Sequence, residues 1–184
     1  MNEDDPGTAS PYELLLDMER RCRDQAAPLP EREERRTDWR AVAFSLAGRW
    51  FIAPLDEVSE ILVPTPLTRV PGVRRWVLGL ANVRGNLLPV MDLADYLLGQ
   101  PGGTAKGGRI LVVNHSGVLS GLLVDRVSGM RHFLYEERRE ECPEVPNAVR
   151  PYLEGSVQVG DELWPVFSMH RLAESPLFMH VAAV

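Results

Sequence analysis

Most of the chain consists of short stretches in which apolar residues alternate with polar or small ones. Tight turns separate these stretches. Val42, Phe44 and Leu46 alternate with smaller residues, which is the pattern of a half-buried strand. A turn at 47–48 leads into a second apolar stretch, 50–55, so the two stretches predict a hairpin. Further hairpins are predicted over the spans 77–91, 109–124 and 153–167, with a single strand at 130–135.

Helix signals stand at three places beside the strands. Residues 10–13 form a capping-box pattern, which predicts a helix to about Ala26. Asp92 can accept the free N–H groups at the start of a second helix, which ends before Gly99. A third, short helix is predicted at 169–173.

Part of the chain is repeated. The segment 79–91 returns in degraded form at 155–167, with Gly, Val, Leu, Pro and Val at matching places. The segments 48–59 and 117–128 likewise share Gly, Asp, Val and Ser. The repetition indicates a doubled fold, and strands this short favour two small closed or nearly closed barrels.

The composition along the chain predicts where its parts begin and end. We expect an acidic tail, a helix and a charged linker over 1–39, then a domain over 40–173 and a tail over 174–184. A Gly-rich connection at 100–108 divides that domain into barrel halves of roughly 40–99 and 109–173.

Composition excludes several classes of protein. The 184 residues are 45% hydrophobic, enough for a core, and the net charge of −6 lacks the basic footprint of a nucleic-acid binder. The apolar stretches of the chain are far shorter than the roughly 20 residues that a helix needs to cross a bilayer. The acidic start is not a secretory signal, and the isolated Cys22 and Cys142 predict neither a disulfide framework nor a metal site. These features favour a cytoplasmic protein.

No catalytic, cofactor or metal motif stands out in the sequence. The segment 102–107 superficially suggests a phosphate loop, but no Ser or Thr follows its Lys, so we interpret it as a linker. Asp92 and Asp125 could form a carboxylate pair, although each follows a strand and is better placed to cap the backbone. The four histidines are scattered at turns and strand ends, at positions 115, 132, 170 and 180.

Arg84 lies in the hairpin turn Arg84-Gly85-Asn86 between two apolar strands. Two interpretations are open: its side chain points freely into solvent, or its planar guanidinium holds a carboxylate and fixes the turn. Glu57 and Glu60 are the candidate carboxylates, because their segment should pack near the same barrel end. We favour an ion pair that keeps a surface face.

Four segments, 44–61, 70–72, 79–93 and 121–127, carry a recognisable pattern. The third reads apolar-Asn-x-Arg-Gly-x-x-x-Pro-Val-x-Asp-Leu, which is hard to reach by chance. In these segments the chain resembles the CheW family of chemotaxis coupling proteins, over about residues 40–173.

The resemblance implies a mainly β fold of two five-stranded SH3-like barrels that share a hydrophobic core, with short helices after strands and an extra N-terminal helix. It implies no catalysis and no cofactor. Members of the family bridge a CheA-type histidine kinase and a methyl-accepting receptor, whose tip helix lies between the barrels. We therefore expect a cytoplasmic adaptor that is recruited to membrane receptor arrays and does not itself insert into the membrane.

The family motif also assigns residues. Glu60 and Arg84 match a charged pair, and a surface region implicated in partner contact matches Val83, Arg84, Gly85 and Asn86. The positions that match the structural part of the motif are Gly79, Asn82, Pro89, Asp92 and Asp125. The chain departs from the pattern at Ser168, where an Asp is usual, and at Ala94, where a basic residue is usual.

Three alternatives remain open at this point. The N-terminal extension is most similar to family members of the type IV pilus chemosensory system, which governs twitching motility, but a flagellar chemotaxis adaptor is the alternative. More distant is a small-barrel nucleic-acid binder, which needs exposed aromatic residues among basic ones. The last is a ligand sensor or enzyme with a pocket between the barrels.

Overall fold

Strands dominate the part of the chain that the structure describes, residues 11–24, 38–102 and 107–182 of a computed structural model. The predicted disorder of residues 1–9 and the predicted linker at 31–36 lie outside this part. The four helices are α1 (Pro11–Asp24), α2 (Leu93–Leu98), α3 (Met169–Glu174) and α4 (Pro176–Met179). The strands are β1 (Asp38–Leu46), β2 (Arg49–Pro54), β3 (Glu60–Leu62), β4 (Val77–Val83), β5 (Asn86–Asp92), β6 (Arg109–His115), β7 (Val118–Val124), β8 (Arg126–Leu134), β9 (Arg138–Arg139), β10 (Leu153–Val159) and β11 (Glu162–Phe167).

The described part of the chain divides into two units, helix α1 and the domain that begins at β1. Helix α1 belongs to the first unit and agrees with the prediction as far as Asp24. Asp17 and Arg21, one helical turn apart, form an ion pair of 2.5 Å on it.

Two sheets build the second unit, which confirms the predicted mainly β class. Sheet 1 has the order β8-β1-β2-β11-β10-β9, and sheet 2 has the order β3-β6-β7-β5-β4. Sheet 1 therefore has six strands rather than the predicted five, because the two-residue β9 adds to its edge. Each sheet contains one parallel contact, β2 with β11 and β5 with β7, and antiparallel pairs elsewhere.

The two sheets exchange strands, which differs from the predicted halves 40–99 and 109–173. Strand β3 follows β2 of sheet 1 but pairs with β6 of sheet 2, and β8 follows β7 of sheet 2 but pairs with β1 of sheet 1. At the second crossing the Asp125 N–H donates to the Ser45 carbonyl, and the Asp125 carboxylate accepts from the Ala47 N–H. These bonds turn the chain from one sheet onto the other, so each barrel contains strands from both halves of the sequence.

The repeated segments have the same local structure. In hairpins β4–β5 and β10–β11 the pairing register shifts beside Gly79 and Gly155, which have positive φ angles of +143° and +113°. A Cβ atom at either glycine would overlap a backbone carbonyl oxygen of the neighbouring segment, that of Thr68 or Arg139. Both hairpins then lead into a six-residue helix, capped by Asp92 or by Ser168, so the structure supports the duplication.

One hydrophobic core is shared between the sheets, as the resemblance implied. Its largest cluster takes buried side chains from sheet 1, from sheet 2 and from the helices α2 and α3. Representative members are Phe44, Phe51, Leu111, Leu122, Leu93 and Met169. Because side chains from both sheets and both helices pack into the same cluster, burial of apolar surface is the main interaction that holds the two sheets together.

The end of the chain packs on this core, although residues from 174 onward were predicted to be a tail. Phe178 in α4 is buried and stacks on Trp76, with 5.8 Å between the ring centroids. The Arg74 side chain also donates to the His180 carbonyl at 3.1 Å. Helix α4 has only four residues, too few to show a helical period in the sequence.

Candidate partner-binding surface

The Arg84-Gly85 turn joins β4 to β5 with both residues at positive φ, +51° and +86°. The Asn82 side-chain oxygen accepts the Gly85 N–H at 2.9 Å and fixes the turn. Two other hairpin turns, Ala47-Gly48 and Ser116-Gly117, have nearly the same φ angles. The backbone at Arg84 therefore reflects a tight two-residue hairpin turn, and any special role must lie in the side chain.

Arg84 and Glu60 form an ion pair, with 2.5 Å between Arg84 Nη2 and Glu60 Oε1. They come from strands at opposite edges of sheet 2, next to β4 and in β3. Thr68, in the connection that follows β3, also bonds to Leu80 of β4 through reciprocal backbone hydrogen bonds of 2.9 and 2.8 Å. Sheet 2 thus closes into a barrel, and the ion pair spans its seam.

The ion pair keeps a broad face to solvent, since the Arg84 side chain is 79% exposed. Exposed pairs of this kind stabilise a fold by only about 0.2–1 kcal/mol. Next to it in sequence, the apolar side chains Ile61, Val63 and Leu87 are exposed. Charged and apolar groups mixed in this way are typical of the rim and core of a protein interface.

The structure places Glu57 elsewhere, so this residue is not a partner of Arg84. Its carboxylate is buried and accepts from Ser168 Oγ at 3.0 Å and from the Met169 N–H at 2.5 Å. Glu57 therefore caps α3, the helix of the second repeat. The sequence signal for this contact is weak, because the two segments lie more than 100 residues apart.

Asp92 and Asp125 act on the backbone, in agreement with the capping interpretation. Asp92 Oδ1 accepts the Asp95 N–H at 3.0 Å, and its Oδ2 accepts the Gly102 N–H at 2.8 Å. Burial raises the pKa of Asp92 above its ordinary value of 3.8, although these N–H groups act in the opposite direction. Pro89, another motif position, lies in β5 opposite Leu80 and is partly buried.

Two of the histidines that look scattered in sequence lie together. The His115 and His170 rings stack with 4.0 Å between their centroids, and each faces a carboxylate, Glu174 or Glu57. Within the described ranges no group of three or more His, Cys, Asp or Glu residues could hold a metal ion. Only the strand pairing and the docking of α3 bring the two rings together, and local sequence carries no signal for either.

The tryptophans pack against protein. Trp39, Trp76 and Trp164 are each at most 8% exposed, and the half-buried Trp50 stacks on Trp164 at 5.2 Å. A nucleic-acid platform of exposed aromatic residues among basic ones requires the opposite arrangement.

A family model described as a CheW-like domain matches residues 40–177. The chain belongs to the CheW-like family. Its relatives include the PilI protein of Pseudomonas aeruginosa, which is 43% identical over 94% of this chain and 97% of that protein. The chemotaxis protein CheW of Helicobacter pylori is 31% identical over 47% of this chain and 53% of that protein.

The structural comparison agrees with this membership. The scaffolding protein TtCheW of Thermoanaerobacter tengcongensis matches with a TM-score of 0.65 and 27% identity, over 75% of this chain and 94% of that one. The CheW-like chain therefore has the SH3-like scaffold fold that the resemblance implied. No helix among the described residues is both long and apolar enough to span a membrane.

Proposed function

We propose that this CheW-like scaffold is a non-catalytic adaptor that couples a methyl-accepting chemoreceptor to a CheA-type histidine kinase in the type IV pilus pathway of twitching motility. In this role it acts in the cytoplasm and is recruited to receptor arrays at the membrane. Receptor state then reaches the kinase because the three proteins are held together by contacts that differ between states.

The likeness to PilI carries the proposal. The family model begins at residue 40, whereas the alignment with PilI covers 94% of the chain and so extends into the N-terminal unit. The CheW protein of Helicobacter pylori matches only 47% of the chain. An N-terminal unit shared with a pilus protein favours the pilus pathway over flagellar chemotaxis.

The Arg84–Glu60 surface is the proposed contact with the kinase or the receptor. It combines an ion pair and a fixed turn at the seam of the barrel that sheet 2 forms, with exposed apolar side chains nearby in sequence. Val83 and Asn86, which pair across the base of the turn, complete it. A small surface of this kind binds weakly alone and gains strength when many copies assemble.

The test is reconstitution of the purified full chain with its CheA-type kinase and a receptor cytoplasmic fragment. We expect kinase activity to respond to the receptor only when the adaptor is present. Arg84→Glu should weaken co-sedimentation of the three proteins while the circular dichroism spectrum stays unchanged. Arg40→Glu, which reverses an exposed arginine on β1, is the matched control and should leave assembly unchanged.

Two results would contradict the proposal. Equal co-sedimentation of Arg84→Glu and the unaltered chain would remove this surface from the interface. Coupling to a flagellar kinase and not to the pilus kinase would assign the chain to flagellar chemotaxis instead.

A further inference from the structure

A polar cavity of about 690 Å³ opens at the β9–β10 edge of sheet 1, in the barrel that does not carry Arg84. Three arginines line it, one each from β9, the turn before β10, and α3. These are Arg138, Arg150 and Arg171, and the acidic residues beside them are Glu140 and Glu154. Three positive charges against two negative ones leave the cavity with a net charge of +1, although the whole chain carries −6.

Arg138 is fixed from two sides. Its Nη2 donates to the Glu154 carboxylate at 2.9 Å and to the Glu154 backbone carbonyl at 3.0 Å. Its guanidinium carbon lies 5.7 Å from the centroid of the Trp39 ring, within the range of a cation–π contact. A guanidinium held in this way loses little conformational entropy when it binds a ligand.

The same carboxylate orients Arg171. Arg171 Nε lies 3.2 Å from Glu154 Oε1, and its Nη1 donates to the Leu153 carbonyl at 2.9 Å. Glu154 therefore sets two guanidinium groups side by side, and neither uses all five of its N–H donors. Arg150, the third arginine, is exposed and makes no ion pair or side-chain hydrogen bond with any residue that the structure describes.

The outer wall of the cavity is fastened to β10. Ser156 Oγ donates to the Glu141 carbonyl at 2.5 Å, and Cys142 Sγ donates to the Gly155 carbonyl at 3.3 Å. Gly155 lets the segment at Arg139 approach so closely that no side chain would fit between them. The backbone segment that follows Arg138 is thus fixed against β10.

We propose that this cavity is a second docking site, which binds the carboxylates of an acidic segment on a protein partner. The planar guanidinium fork matches the two oxygens of a carboxylate, and the donors of three arginines can hold more than one acidic side chain. The identity of the partner as a protein of a signalling array rests on the proposed function. The affinity for acidic side chains rests on the cavity alone.

The experiment titrates the full chain, labelled with ¹⁵N, with a hexaglutamate peptide, and follows the arginine Nε–Hε signals by NMR. We expect saturable shifts at the signals of Arg138, Arg150 and Arg171 that weaken as salt is added. Arg150→Glu should lower the peptide affinity by about tenfold, since it places a negative charge beside the ligand. Arg69→Glu, at an exposed arginine that does not line the cavity, is the matched control and should leave the affinity unchanged.

Three results would overturn the proposal. The first is the absence of saturable shifts with the peptide, and the second is equal affinity in Arg150→Glu and the unaltered chain, with unfolding curves showing that both are folded. In the third, inorganic phosphate saturates the three signals and the peptide does not, which would make the ligand a small anion. Because no kinase or receptor takes part, failure here leaves the proposed function standing, and failure of the reconstitution leaves this binding measurable.

Discussion

At the scale of single residues, the absence of a side chain at Gly79 and Gly155 lets two backbone segments approach closely. At both places the neighbouring carbonyl oxygen occupies the position that a Cβ atom would need. The glycines are therefore required by the neighbouring backbone segment as well as by their positive φ angles. Their recurrence in both repeats reflects this shared constraint.

Gly79→Ala should destabilise the protein by more than about 2 kcal/mol, because the new methyl group forces the Thr68 backbone away from β4. Gly160→Ala is the control, since Gly160 also has positive φ, +61°, but nothing lies within 4 Å of its Cβ position. It should cost only about 1–2 kcal/mol. Urea unfolding measures both, and equal losses would show that φ alone explains the glycine at 79.

Asp92 provides a pH-dependent prediction. Because burial raises its pKa above 3.8, its ionised form is less favourable in the folded chain than in the unfolded chain. Its titration therefore contributes stability that is present below 3.8 and is lost as the pH rises through the folded pKa. Asp92→Asn removes this titration and keeps one oxygen that can accept the Asp95 N–H.

The measurement is the free energy of unfolding of both chains at several pH values from 3.8 to neutral. The value for the unaltered chain minus that for Asp92→Asn should decrease as the pH rises. An increase over that range would mean that the two backbone N–H groups outweigh burial and lower the pKa.

At the scale of elements, helix α3 depends on a residue from the other repeat. Glu57 reaches the start of α3 from the turn between β2 and β3, and accepts from Ser168 Oγ and the Met169 N–H. Ser168 itself accepts the Arg171 N–H at 3.2 Å. The helix has only six residues, too few to be stable alone, so these contacts and its buried apolar side chains hold it.

Glu57→Gln should cost about 1–3 kcal/mol, because it removes a buried charged acceptor from the α3 N–H groups. Glu136→Gln, at an exposed position, should change stability by less than about 0.5 kcal/mol. Thermal unfolding compares the two variants with the unaltered chain. A loss in Glu57→Gln no larger than that in Glu136→Gln would show that α3 is held by its apolar contacts alone.

Some features of the elements could be predicted from the sequence and others could not. The four hairpins and the helices after β5 and β11 follow from alternation, turn residues and caps, all of which are local signals. The exchange of β3 and β8 between sheets is not local, because alternation reports a buried face and not which strand lies beside it. The local pattern therefore leaves both Glu57 and Glu60 as candidate partners of Arg84; the structure pairs Glu60 with Arg84 and places Glu57 at the start of α3.

At the scale of the whole molecule, strand exchange makes the two barrels depend on one another. Sheet 1 takes β1 and β2 from the first repeat and the rest of its strands from the second, and sheet 2 takes β6 and β7 from the second. Neither repeat alone contains a complete sheet, and both contribute to the largest core cluster. The unit 37–184 should therefore unfold in one cooperative step.

The two repeats should also fold only together. We expect a fragment ending at Gln100 and a fragment beginning at Gly107 to show no cooperative unfolding when each is purified alone. Mixed or co-expressed, they should recover the β spectrum of the intact chain and unfold in a single transition whose midpoint rises with concentration, since assembly is now bimolecular. Circular dichroism and tryptophan fluorescence should report the same midpoint. A fragment that unfolds cooperatively alone would mean that one repeat can pair its own strands into a closed sheet, and that the exchange is an alternative arrangement rather than a requirement of the fold.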